Sequence, residues 1–408
     1  MGFLHLLPIS TSLARDFKPT DTPHQFKLKI LTGGHNAAPD RKAAEKAEEF
    51  RRANDYLSAN VTARRFNFLP SFYEYTVQFE PRLQLEPATN LRPRMVSFSD
   101  DLTTESLGPA LRQGNWQAIE QFLLSIADSQ LRDFYVSAVA AEVGEDFLWL
   151  DEWVKERPGQ YLPLLFRGDF KVHWAWRARG GRRAAYVADE QFKVFFARLE
   201  MARQDLEAAA ALAPADEAGA FAFMIPMAMG LQWPKDAVLQ IYHEAQRRRP
   251  WHQLVHVSMV QVLAPKWSGS LEEMFALARS TSAAPIGSGA SIAIFHAHAE
   301  ASHESGSPDY WKDPAILPEV LAAARRTVWA AGAYETPLTL AIHRSLLYCL
   351  IRLDDAEHAC REFDAVNGRL GYPITYMKDP VAGYAYSYKK ANGLLPPEPT
   401  APGAPGSR

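Results

Sequence analysis

From about residue 100 to residue 369, apolar residues recur with the helical period of 3.6, and Pro, Gly or Asp turns interrupt the pattern every ~10–20 residues. The pattern predicts, for example, helices over Leu162–Arg179 and Leu271–Ser280. Helices of this length on short connections pack as antiparallel neighbours. We therefore predict an all-α domain of helix pairs over residues 100–370.

A faint repeat accompanies the helical pattern. Pro214 and Pro250 each follow the end of one predicted helix and precede the next, and they lie 36 residues apart. This spacing is close to the ~34-residue period of tetratricopeptide repeats. The pattern thus predicts an α-solenoid of tetratricopeptide-like antiparallel helix pairs, a fold that binds other proteins or peptides along a concave face.

The two ends of the chain differ from this helical region. Apolar and polar residues alternate over 26–30 and 73–79, which predicts two strands and hence a small α+β appendage over residues 1–99. Residues 371–393 form a C-terminal extension. Pro and Gly dominate residues 394–408, a composition typical of a disordered tail.

Composition excludes several function classes. The formal net charge of −3, from 44 basic and 47 acidic residues, gives no reason to expect nucleic acid or an anionic membrane as a partner. No stretch approaches the ~20 apolar residues of a spanning helix. Cys349 and Cys360 are the two cysteines, too few for a disulfide framework, and they suit a cytoplasmic, reducing location. The glycines of Thr32–Asn36 match neither nucleotide-binding pattern, so no cofactor is predicted.

The most informative local motif is the turn Ala264-Pro265-Lys266-Trp267-Ser268-Gly269-Ser270. Pro265 ends the preceding helix, and Gly269 can adopt a positive φ. Ser270 is placed to cap the next helix, with Glu273 in a capping box. Trp267 would cover the joint, and Lys266, which this reasoning does not explain, is interpreted as a solvated residue.

Three segments together resemble a known family: Trp174–Gly180, Phe195–Pro214 and the Pro265–Ser270 turn. In this order they resemble an uncharacterised, actinobacterial-type bacterial family of tetratricopeptide-like helical proteins, a domain of unknown function. The resemblance covers roughly Glu105–Arg369. It implies a helical-repeat fold and lends no activity.

The segment from residue 174 to residue 183 combines two indoles with four guanidiniums, a composition that suits an anionic peptide or phosphate. On a helix, however, Trp174 and Trp176 lie about 200° apart, so one of them belongs to the core. The basic residues equally suit a helix C-terminus. With the turn, this segment supplies the predicted partner-binding residues: Trp174, Trp176, Arg177, Arg179, Arg182, Arg183, Lys266 and Trp267.

A third candidate lies on a helix over residues 295–304. His296, Glu300 and His303 share one face at i, i+4 and i+7, and two of them could ligate a divalent metal. The His-Glu-x-x-His order is absent, so interhelical hydrogen bonding explains these residues equally well. The leading hypothesis is a non-catalytic protein- or peptide-binding scaffold of unspecified oligomeric state. The alternative is a metal-binding or enzymatic helical protein that uses His296–Glu304.

Overall fold

A computed structural model describes residues 94–95, 102–144, 147–180, 187–330, 336–366 and 369–370. Within these residues the chain forms fourteen α-helices, which confirms the all-α prediction. Arg94–Met95 (β1) and Arg369–Leu370 (β2) add one short parallel pairing. The predicted strands over 26–30 and 73–79, and the predicted tail over 394–408, lie outside the described residues.

The helices in chain order are α1 Leu102–Gln113, α2 Trp116–Ser125, α3 Ser129–Ala141, α4 Trp149–Glu156, α5 Tyr161–Arg179, α6 Asp189–Leu212, α7 Gly219–Gly230, α8 Lys235–Arg248, α9 Gln253–Val262, α10 Leu271–Ser280, α11 Ile292–Ser305, α12 Ile316–Arg326, α13 Pro337–Arg352 and α14 Ala356–Ala365. Short 3-10 turns occur at Thr281–Ala283 and Pro308–Lys312.

The helices form two layers. The inner helices are α3, α5, α7, α9, α11 and α13, and each packs against the next. The even-numbered helices from α4 to α14 cover them from outside. Helix α13 also packs against α3, so the inner layer returns to its own beginning. In an open solenoid each repeat contacts only its sequence neighbours, and this contact departs from that pattern.

Burial explains why the inner layer offers no concave face along its middle helices. In α7 every residue except Phe221 is buried, and in α11 the whole of Ile292–Ser302 is buried. A helix that is apolar on all sides must be covered on all sides. Outer helices are amphipathic instead: α8 buries Val238, Tyr242 and Ala245, one stripe at i, i+4 and i+7.

The inner helices all begin at the same end of the molecule. The amide nitrogen of Gln253 in α9 donates to Gln130 in α3 at 2.6 Å, and Gln253 Nε2 donates to the Leu338 carbonyl in α13. Gly219, the first residue of α7, abuts Asp133 in α3. The positive ends of several helix dipoles therefore meet here, where acidic side chains are stabilised. We call this the N-terminal end of the inner layer.

None of the described helices combines the length and apolar character that crossing a membrane requires.

Candidate functional site

The turn between α9 and α10 is built by a close approach of two backbone segments. Ser270 Oγ accepts a hydrogen bond from the Glu273 amide at 3.1 Å, which confirms the predicted cap. Gly269 does not have a positive φ, so the turn does not use the left-handed conformation that a glycine allows. A Cβ at Gly269 would lie within 2.6 Å of the Leu263 carbonyl carbon, and this backbone contact is what requires a glycine.

Lys266 is not the solvated residue that the sequence suggested. Its Nζ donates to Glu300 Oε2 at 2.6 Å, and the two side chains are 19% and 6% exposed. The side-chain amide of Gln261 is oriented so that its nitrogen donates to Glu300 Oε1 at 2.7 Å. Its oxygen accepts from Lys266 Nζ at 3.0 Å and from Trp267 Nε1 at 3.2 Å. The interpretation failed because sequence gives no sign of a carboxylate on α11 beneath the turn.

The structure also brings this turn next to the segment from residue 174 to residue 183, which we call the Trp-Arg segment and which begins at the end of α5. Trp176 and Trp267 contact edge to face, with ring centroids 6.0 Å apart, and both are half-buried. The Arg179 guanidinium lies over the Trp176 ring at 5.6 Å. The partly exposed Trp176, Lys266 and Trp267 thus lie together at the C-terminal end of the inner helices, with the buried Arg179 beneath them, and we call these four residues the tryptophan face.

Other residues of the Trp-Arg segment serve packing. Trp174 is buried, and the Arg198 guanidinium lies 3.6 Å from its ring centroid. Arg177 donates to the carbonyls of Ala141 and Val143 at 3.0 and 3.2 Å, where it satisfies the end of α3 and offsets its dipole. Arg182 and Arg183 lie outside the described residues.

The His296–Glu304 segment does not converge on a metal site. His296 Nε2 donates to Ser345 Oγ at 3.3 Å, because the Ser345 hydroxyl itself donates to the Ala341 carbonyl. Burial lowers the pKa of His296 to about 3. Glu300 pairs with Lys266, whereas His303 is exposed. Across the described part of the chain, no three His, Cys, Asp or Glu residues are arranged to hold a metal.

A second cluster, which the sequence reasoning missed, lies at the N-terminal end of the inner layer. Asp133 Oδ2 and His252 Nε2 are 3.0 Å apart and almost fully buried. Arg132 forms an ion pair with Glu217 beside them. Burial, followed by the charge of Asp133, raises the pKa of Glu217. Burial, followed by the charge of Glu217, raises the pKa of the neighbouring Tyr161 to about 12.

The cluster continues one helical turn deeper. Ser137 follows Asp133 by four residues on α3, and its Oγ lies 3.2 Å from His173 Nε2 on α5. The same nitrogen lies 3.3 Å from Asp169 Oδ2. All of these side chains are buried. We call the two tiers together the polar column; its members are Arg132, Asp133, Ser137, Tyr161, Asp169, His173, Glu217 and His252.

One sequence feature could have indicated the polar column. Ser129, Asp133 and Ser137 form a polar stripe at four-residue spacing on α3, a helix whose residues are otherwise largely apolar and buried. The stripe looks like a solvent-facing side until α7 and α9 cover it. Glu217 is 85 residues from its partner Arg132, and His252 is 119 residues from Asp133, so local patterning cannot place them.

Comparison with protein-family models, with curated proteins and with solved structures returned no match. The resemblance to the actinobacterial-type family stays a prediction.

Proposed function

We propose that this protein is a non-catalytic helical-repeat scaffold that binds another protein or peptide at the tryptophan face. The observation that carries the proposal is the contact between Trp176 and Trp267, because it joins two candidate binding segments into one half-buried surface. Tryptophan and arginine dominate the binding energy of protein interfaces. Arg179 and Lys266 flank the two rings.

The proposed binding surface is not the concave groove of a standard solenoid, and burial gives the reason. Helices α7, α9 and α11 are covered on all sides, so a peptide cannot lie along them without displacing core residues. The ends of the inner layer are the surfaces that remain. We retain tetratricopeptide-like helix pairs, and membership of the actinobacterial-type family, as parts of the proposal.

A cytoplasmic location is also part of the proposal. Cys349 and Cys360 are both free thiols, and Cys349 is buried. Free thiols and no disulfide among the described residues suit a reducing compartment.

The test compares two tryptophan variants. Trp267→Ala removes the ring at the proposed surface. Trp329→Ala removes a half-buried ring, stacked under Arg361 at 5.0 Å, away from that surface. Partners captured by wild-type protein from the native host are identified, and their affinity for each purified variant is measured by calorimetry.

We expect Trp267→Ala to weaken the partner's binding by about thirtyfold, which corresponds to a hot-spot loss of ~2 kcal/mol. Trp329→Ala should leave the affinity within about twofold, with both variants confirmed as folded by circular dichroism. Equal affinities for wild type and Trp267→Ala would refute the proposed surface.

A further inference from the structure

The end of the molecule that carries the tryptophan face also carries the starts of outer helices. At the start of α6, Gln191 Nε2 donates to the Ala178 carbonyl near the end of α5 at 3.1 Å. Lys235 Nζ in α8 pairs with Glu273 Oε1 in α10 at 2.6 Å, and α10 directly follows the turn that holds Trp267. The first turns of α6, α8 and α10 therefore lie at the same end as the two tryptophan rings.

The exposed charges at this end are mostly acidic. At or beside the described helix ends they are Glu142 after α3, Asp189 and Glu190 in α6, Asp236 in α8, Glu272 in α10, Glu304 in α11, Asp354 after α13 and Glu357 in α14. Against these eight carboxylates stand two exposed cations, Lys193 in α6 and Arg352 in α13. The negative ends of inner helices and the positive starts of outer helices largely cancel here, so the side chains decide the sign of the surface.

The opposite end has no such excess of one sign. Its exposed charges at the described helix ends are Lys155, Arg247, Arg279 and Arg325 on the basic side, and Asp128, Glu156 and Asp216 on the acidic side. Residues 145–146 and 181–186, which lie outside the described residues, contain two acidic and two basic residues and leave the balance unchanged. Negative charge is therefore concentrated at the end that carries the tryptophan face.

The cations nearest to the two tryptophan rings are already used within the fold. Lys266 pairs with Glu300. Arg177 donates to two carbonyls at the end of α3, and Arg179 is buried. The composition of the Trp-Arg segment suited an anionic partner, but these two guanidiniums are not presented to solvent as free positive charge. The described surface around the rings favours a cationic partner instead.

Leu271 adds an exposed apolar side chain beside the tryptophan face. It is the first residue of α10, 43% exposed, and it follows the turn that holds Trp267. Trp176 and Trp267 are half-buried, so each leaves part of its ring open to solvent. Apolar surface rimmed by polar residues is typical of interaction sites. This end thus combines apolar side chains with negatively charged surroundings.

We propose that the tryptophan face binds a basic segment of another protein, in which lysine or arginine residues flank an apolar residue. The apolar residue packs against Trp267 and Leu271. The flanking cations meet the carboxylates of Glu190, Asp236 and Glu272, and this charge complementarity speeds association and excludes acidic partners. The inference rests on the proposed function, because it takes the tryptophan face as the binding surface and adds the chemistry of the partner.

The test is calorimetry on the full chain with three short synthetic peptides. The peptides share the same leucines and carry lysine, glutamate or serine at every other position. We expect one lysine peptide per chain, serine-peptide binding at least about tenfold weaker, and no binding of the glutamate peptide. Raising the salt concentration from ~0.05 M to ~0.5 M should weaken lysine-peptide binding at least about threefold, because salt screens exposed charges.

A triple substitution locates the charged contact. Glu190→Gln, Asp236→Asn and Glu272→Gln together should weaken lysine-peptide binding by about tenfold, since each exposed ion pair contributes a factor of a few. Trp267→Ala should also weaken it by about tenfold or more, because the peptide's apolar residue loses its contact.

The matched control removes the same charge elsewhere. Glu152→Gln, Glu156→Gln and Asp216→Asn alter exposed carboxylates in α4 and before α7, away from the tryptophan face. This variant should bind the lysine peptide within about twofold of wild type, which separates a local contact from an effect of net charge.

No binding of the lysine peptide, equal binding of the glutamate peptide, or binding that the first triple substitution leaves intact would each overturn the inference. A native partner that needs Trp267 but is insensitive to that triple substitution would overturn it and leave the proposed function standing. Carboxylate-dependent binding that Trp267→Ala leaves intact would instead overturn the tryptophan face, and both proposals with it.

Discussion

The ion pair between Lys266 and Glu300 makes a sharp prediction, because the sequence alone suggested that Lys266 is solvated. Lys266→Met removes the ammonium group and keeps most of the aliphatic stem. Removing one partner of a fully buried ion pair costs ~3–5 kcal/mol. Lys266 is 19% exposed and Gln261 still donates to Glu300, so we expect a smaller loss of about 2 kcal/mol.

The matched control is Lys312→Met. Lys312 also pairs with a carboxylate, Asp309, at 2.6 Å, but its side chain is 78% exposed. Exposed pairs contribute ~0–1 kcal/mol, so this variant should lose little stability. The free energy of unfolding is measured by urea denaturation, and Glu300→Gln combined with Lys266→Met should recover part of the loss. Equal, small effects of the two lysine substitutions would refute the reasoning.

Three further predictions concern stability. Burial lowers the pKa of His256 to about 4 and that of His296 to about 3 in the folded protein. In the unfolded chain the pKa of both histidines is ~6.5, so the unfolded chain takes up protons first as the pH falls. Stability should be full above pH ~6.5 and fall as the pH drops from there toward 4; melting curves that do not change between pH 7.5 and 5 would contradict this. Gly269→Ala should lower the free energy of unfolding, measured by urea denaturation, by about 1–3 kcal/mol, because the added Cβ meets the Leu263 backbone. The control Gly144→Ala places its Cβ in open space and should change the free energy of unfolding by no more than about 0.5 kcal/mol. Ser270→Ala should cost ~1 kcal/mol by the same assay, and no loss would show that the cap contributes nothing.

Local sequence signals predicted the secondary structure well. The predicted helix Leu271–Ser280 has the bounds of α10, and the predicted Leu162–Arg179 differs from α5 by one residue. Caps, Pro and Gly mark such boundaries through short-range physics. The return of α13 to α3 could not be predicted, because it depends on contacts between distant helices.

The candidate sites show the same contrast between what local sequence signals predict and what depends on contacts between distant helices. Trp176 and Trp267 were singled out by residue type, but their contact depends on tertiary packing and could not be predicted from the sequence. Asp133 and His252 were missed, because burial of a polar stripe depends on helices that lie far away in sequence. Lys266 was misread for the same reason, since its partner Glu300 belongs to another helix.

Site-specific photo-crosslinking tests the proposed binding surface most directly. A photoreactive residue is placed at the exposed Ser268, beside Trp267, and in a second protein at the exposed Ser280, at the far end of α10. After irradiation in the native host, we predict a discrete crosslinked protein or peptide from position 268 and none from position 280. The same adducts from both positions, or none from position 268, would contradict the account.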